Sequence, residues 1–194
     1  ANKALLAKNG FELFKIAEKN NVLLLYEAAV AGGIPIIKTL KNNIFLNKVI
    51  KISGILNGTT NYILTTMDQK NLSFSNVLKI AKSKGYTSDS ESELDIGGID
   101  SAHKLTLLAT LCFGVVINFD YNDIIGLSSI QIEDIVHAKK LGFKIKLISE
   151  AYIKNDKIYY ITGPKLIHKS NSLASTDGVL NAIKIETDQL ESLF

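Results

Sequence analysis

The sequence predicts an α+β fold, a mixed β-sheet with helices packed on one face. Apolar residues recur with helical spacing in some segments and with strand alternation in others, helices and strands alternate early, and strands cluster late in the chain. A chain of 194 residues with 46% hydrophobic content can bury a sizeable core and suits one domain or a domain with a small appendage.

Residues 2 to 20 have the apolar spacing of an amphipathic helix, with Gly10 as a break. VLLLYEA, residues 22 to 28, reads as a buried strand. GGIP follows at 32 to 35, and Pro35 suits the first turn of a helix through IIKTLKNNIFL. KVIKISGI, 48 to 55, alternates as a strand. Asn57 and Thr59 offer caps to a helix ending near Gln69. Ser75 opens another helix that ends at Lys84, with Gly85 as its left-handed cap.

Residues 86 to 97 are polar and acidic and read as a loop, which at that length needs a reason. A long apolar helix follows from Gly98 to Gly114, then a helix from Ile132 to Leu141 that Gly142 terminates. FKIKLISEAYI, KIYYITG and VLNAIKIET are strands separated by the turn signals KND and STDG.

The formal charge is +3, and all 22 basic residues are lysine. Readers of nucleic acid lean on arginine forks for phosphate and guanine, so this pattern argues against that class. No stretch reaches the ~18 apolar residues needed to cross a bilayer, and no leader opens the chain, so a soluble cytoplasmic protein is expected. Cys112, the one cysteine, lies in an apolar run and reads as a buried small hydrophobe. His137 and His168 read as surface residues.

ELDIGGIDSAHKLTLLATL, residues 93 to 111, sets acid and base directly before an apolar run and is the candidate for chemistry. On a helix Asp100 and Lys104 share a face, with His103 beside them. They are either an exposed ion pair or a site. The apolar sequel favours burial, where a lysine loses solvation, needs a carboxylate to remain charged and suits proton transfer. Asp89, Glu91, Glu93 and Asp95 precede it. They supply more acid than one lysine requires, so they form either a solvated loop or the lining of a cleft for a cationic group such as an ammonium.

The block GYTSDSESELDIGGIDSAHKL resembles the signature of homoserine dehydrogenases. ANKALLAKNG, YEAAVAGGIPII, KISGILNGTTNYIL, IEDIVHAKKLGFKIKLI and LASTDGVLNAI extend the resemblance, in family order, over essentially the whole chain. The resemblance implies a single catalytic and dimerisation domain over residues 1 to 194, without the family's dinucleotide-binding Rossmann half. It implies interconversion of L-homoserine and L-aspartate 4-semialdehyde by hydride transfer with NAD(P), in the synthesis of threonine and methionine, by a homodimer paired through its sheet.

By the same resemblance Lys104 and Lys3 are catalytic. Asp100 binds the substrate hydroxyl, Asp95 and either Asp89 or Glu91 surround its ammonium, and Asn57, Gly58 and Thr59 line its other end. For Gly58 a helix-entry glycine is an equal reading. Asn2 and Lys3 face the cofactor. A sodium ion is held by Glu27 and the carbonyls of Val30, Gly32 and Ile34, unless Glu27 is a cap or half of a salt bridge. The alternative to an enzyme domain is a dimerising scaffold, inactive alone.

Overall fold

The computed structural model describes residues 2–42, 47–117, 123–189 and 191–194. Seven helices, α1 (Lys3–Lys19), α2 (Ile36–Asn42), α3 (Gly58–Lys70), α4 (Phe74–Ser83), α5 (Asp89–Ile96), α6 (Ile99–Phe113) and α7 (Ile132–Lys140), accompany four strands, β1 (Val49–Ile55), β2 (Phe143–Lys154), β3 (Lys157–His168) and β4 (Ala182–Thr187). The sheet has the order β3-β2-β1-β4. Every pairing between these strands is antiparallel. The expected α+β class holds, and among the described residues the one parallel pairing is the isolated bridge between Ile124 and Thr162.

Alternation along the strands sorts the two faces of the sheet. Ile52, Ala151, Ile183 and Ile185 pack with α1, α2 and α6 in one core cluster, while Leu147 joins α3, α4 and α7 in a second. The opposite face carries Tyr152 and Tyr159, stacked with ring centroids 5.4 Å apart. Glu150 sits beside them between Lys51, at 3.3 Å, and Lys165. Burial pushes the Glu150 carboxyl up, but the two lysines outweigh it and hold it below the usual range. The β2–β3 hairpin turns on Asn155 and Asp156, with φ of 51° and 57°, the two left-handed residues a tight primed turn requires.

Three expectations are corrected. The first helix runs unbroken through Gly10, which is buried where α1 meets α6, so packing overrides the weak helix propensity of glycine. Residues 22 to 28 form no strand: Tyr26 is buried against Phe14, ring centroids 5.3 Å apart, and residues 27 to 29 make a single 3-10 turn. Leu23 and Leu25 are 89% and 74% exposed, so the apolar run is covered on one side only. The acidic segment expected as a loop contains α5, capped by Ser88, whose hydroxyl accepts from the Glu91 amide at 3.3 Å and donates to its carboxylate at 2.9 Å. Helix α2 is described to Asn42, and the continuation expected through Ile44, Phe45 and Leu46 lies outside the described residues. No helix among the described residues is long and apolar enough to cross a membrane.

Candidate active site

The site forms where β1 hands over to α3 and where α5 hands over to α6. Asn57 is the N-cap of α3: its side-chain oxygen accepts from the Thr60 amide at 2.8 Å. That bond leaves the two N–H groups of the same side chain free to point outward. One donates to Asp95 at 2.7 Å and the other to Asp100 at 3.0 Å. The second oxygen of Asp95 accepts from the Thr87 hydroxyl at 3.0 Å. A single cap residue thus fixes two carboxylates from different helices.

Gly98 makes the hinge between those helices. Its φ of 81° is left-handed, a conformation side chains resist, and it lets α6 start directly after α5. Asp100 stands in the first turn of α6, where the helix dipole favours an anion. One turn later Lys104 places its Nζ 2.7 Å from Asp100 Oδ2 and donates to the Leu56 carbonyl at 2.6 Å. Lys3, from the start of α1, pairs with the other oxygen of Asp100.

Burial pushes the Asp100 carboxyl up. Lys104, Asn57 and Lys3 together outweigh that and hold it at about 2. His103 is pushed below its usual range by burial first and by Lys8 and Lys3 next, with Asp100 opposing.

These groups surround a cleft of about 420 Å³ that Thr59, Tyr86, Glu91 and Leu94 also line. Of the two alternatives in the acidic segment, Glu91 faces the cleft, whereas Asp89 turns outward, its side chain 94% exposed and paired with Lys82 at 2.6 Å. Gly58 stands behind the cleft, with the Val179 carbonyl 2.7 Å from where a Cβ would be. His103 lines the cleft beside Asp100 and Lys104 as its spacing suggests, and Tyr86 and Thr87 join the site without having been singled out. Tyr86 and Thr87 follow the glycine that ends α4, and Thr59 donates to the Tyr86 carbonyl at 2.8 Å, which ties that turn to α3.

The expected cation loop lies outside this cleft. Both Glu27 oxygens accept backbone N–H groups at the start of α2, from Ile37 at 2.8 Å and Lys38 at 2.9 Å. Glu27 is therefore the cap of α2, while Ala31 and Gly32, with φ of 55° and 58°, turn the chain between them. Elsewhere, burial pushes the Cys112 thiol up to about 12, and His137 and His168 are exposed.

Fold and site together define an α+β domain with a lysine–carboxylate centre in an acid-lined cleft. The family model described as homoserine dehydrogenase matches residues 35–194, and the chain belongs to that family. A homoserine dehydrogenase of Neisseria gonorrhoeae is 43% identical over 195 residues, covering 100% of this chain and 45% of that protein. The crystal structure of a homoserine dehydrogenase from Thiobacillus denitrificans superposes with a TM-score of 0.93 at 39% identity, over 99% of this chain and 44% of that one. A hyperthermophilic archaeal homoserine dehydrogenase mutant, in complex with NADPH, gives 0.82 at 26% identity over 100% of this chain and 55% of that one. The chain thus spans less than half the length of the first two relatives.

Proposed function

We propose that this chain is the substrate-binding and catalytic part of an oxidoreductase that interconverts L-homoserine and L-aspartate 4-semialdehyde. The observation that carries this reading is one carboxylate, Asp100, holding Lys104 and Lys3 in an acid-lined cleft.

In the reducing direction the substrate carbonyl oxygen gains negative charge. Lys104, held in place by Asp100 and by the Leu56 carbonyl, stabilises that oxygen and gives it a proton; in the reverse direction it takes the hydroxyl proton. Asp100 accepts from the substrate hydroxyl and keeps both lysines aimed. Asp95 and Glu91 face the substrate ammonium, and Asn57 and Thr59 line the far end. Asp89 and Gly58 have no direct part.

A nicotinamide cofactor, when bound, supplies or accepts the hydride. The residues at the start of α1 fit such a group: Lys3 lines the cleft while about a third of its side chain stays exposed, and Asn2, the residue before it, caps the helix. NAD and NADP are both compatible with these two residues. Hydride transfer needs the nicotinamide held against the substrate, so the chain alone is expected to be inactive and the intact protein that carries it active. Assay of both for L-homoserine-dependent reduction of NAD and NADP tests this. Absence of turnover by the intact protein with either cofactor contradicts it.

The same reading includes a role in cytoplasmic threonine and methionine synthesis, a homodimer paired through the sheet face of Tyr152 and Tyr159, and a monovalent cation at Glu27, Val30, Gly32 and Ile34. The cation's chemistry suits an all-oxygen set, and each Glu27 oxygen retains a lone pair beyond its α2 contact. Light scattering tests the dimer, and exchange of sodium for a bulky organic cation tests the ion site.

A further inference from the structure

Lys146 is the bulkiest of the fully buried residues described, 1% exposed on a β-strand, and nothing in the cleft uses it. Its ammonium donates to Asn61 at 2.9 Å, to the Thr176 carbonyl at 2.6 Å and to Asp177 at 2.8 Å. Burial lowers its pKa, and Asp177 opposes that shift. Asp177 also pairs with Lys144 at 2.8 Å.

Asn61 is the link to the site. Its oxygen faces the ammonium, so its amide must face the other way, and it donates to the carbonyls of Thr176 at 3.1 Å and Leu180 at 3.0 Å. Thr65 adds a second tie, accepting from the Gly178 amide at 3.1 Å. The turn from Thr176 to Leu180 is thereby clamped along the start of α3. Gly58 lies under it, where any side chain would strike the Val179 carbonyl at 2.7 Å. The residue before Gly58 is Asn57, the donor to both Asp95 and Asp100.

We propose that Lys146 is a positioning residue for the cleft: it clamps residues 176 to 180 against the first turn of α3 and so fixes the direction of Asn57 and of the two carboxylates it holds. The proposal rests on the functional reading above for its catalytic consequence. Its structural consequence stands apart from that reading.

The test uses the intact protein that carries this chain. In Lys146→Met, which keeps most of the side chain's length and its unbranched shape, backbone hydrogen exchange is expected to accelerate roughly tenfold or more in residues 57–61 and 176–180, with the centres of β1 and β2 less affected. The KM for L-homoserine is expected to rise several-fold more than kcat falls, because the displaced groups bind substrate and Lys104 stays on α6. Should Lys146→Met not fold, Asp177→Asn, altered at a partly exposed position, reads the same exchange with the same expectation.

Unchanged protection of residues 57–61 in the folded variant overturns the proposal, as does a uniform gain in exchange over the whole sheet with KM unmoved, which marks a residue that only stabilises the fold. A wild-type protein with no homoserine turnover removes the functional reading and leaves the exchange measurement to decide the clamp.

Discussion

Lys104 Nζ lies 2.7 Å from Asp100 Oδ2, one helical turn before it, and the side chains are only 14% and 11% exposed. A solvent-facing pair at this spacing contributes a few tenths of a kcal/mol. This pair is instead shut between helices, with a backbone carbonyl and a second lysine completing it. Removing one member leaves a partly buried charge without its partner, so the members are expected to respond to substitution as a group.

Asn57→Ala removes the cap of α3 and the shared donor of two carboxylates. The cap alone accounts for ~1 kcal/mol, and the two carboxylate bonds bring the expected loss to about 2 to 4 kcal/mol by chemical denaturation. A raised KM for L-homoserine accompanies it. Asn57→Asp retains the cap but sets a third carboxylate beside two others. Its substrate binding is therefore expected to be weaker than wild type at neutral pH and to recover partly as pH falls.

The Asp100 carboxyl falls from 3.8 to about 2 on folding, so its contribution is fully present above the unfolded value and is lost as pH drops through about 2. The shift corresponds to ~2 kcal/mol. Asp100→Asn should therefore be less stable than wild type by about that amount near neutral pH, with the gap closing in acid between pH 4 and 2. Denaturation midpoints of both proteins across that range check this. A gap independent of pH would mean that the lysines do not hold the carboxylate charged.

Glu91 and Asp89 occupy the same helix turn but point to different places. Glu91→Gln is expected to raise the KM for L-homoserine roughly tenfold or more, the loss of one charge-assisted hydrogen bond to an ammonium. Asp89→Asn should leave KM unchanged, since its ion pair with Lys82 is exposed. The opposite order would place the ammonium on the outer side of α5.

The elements legible in the sequence are those with a local cause. Helix α6 lies between the glycines expected to bound it, Asn57 caps α3 as its residue type suggests, and Asn155 and Asp156 make the hairpin turn. Helix α5 was hidden because no apolar period runs through it. Its cap, Ser88 with Glu91 three residues on, was the signal available. Residues 22 to 28 misled because an apolar run does not say how many of its sides are covered. At the site, residue types were legible and partnerships were not. Asn57 meets Asp95 across 38 residues and Lys3 meets Asp100 across 97, and contacts of that range follow from tertiary packing that no local pattern encodes. Glu91 and Asp89 could not be separated until α5 gave each a direction.

The turnover rate of the Lys104→Ala variant of the intact protein, with L-homoserine and a nicotinamide cofactor, bears most directly on whether this cleft performs the reaction. A fall of ~10² to 10⁴ in kcat is expected for the loss of a general acid or base, with the fold retained. Lys104→Arg should not restore the rate, because guanidinium keeps its charge but holds its proton too tightly and has a different shape. Near wild-type turnover in Lys104→Ala, at saturating substrate and with native thermal stability, would contradict the assignment, leaving the Lys104–Asp100 pair a structural one and moving the catalytic role to Lys3.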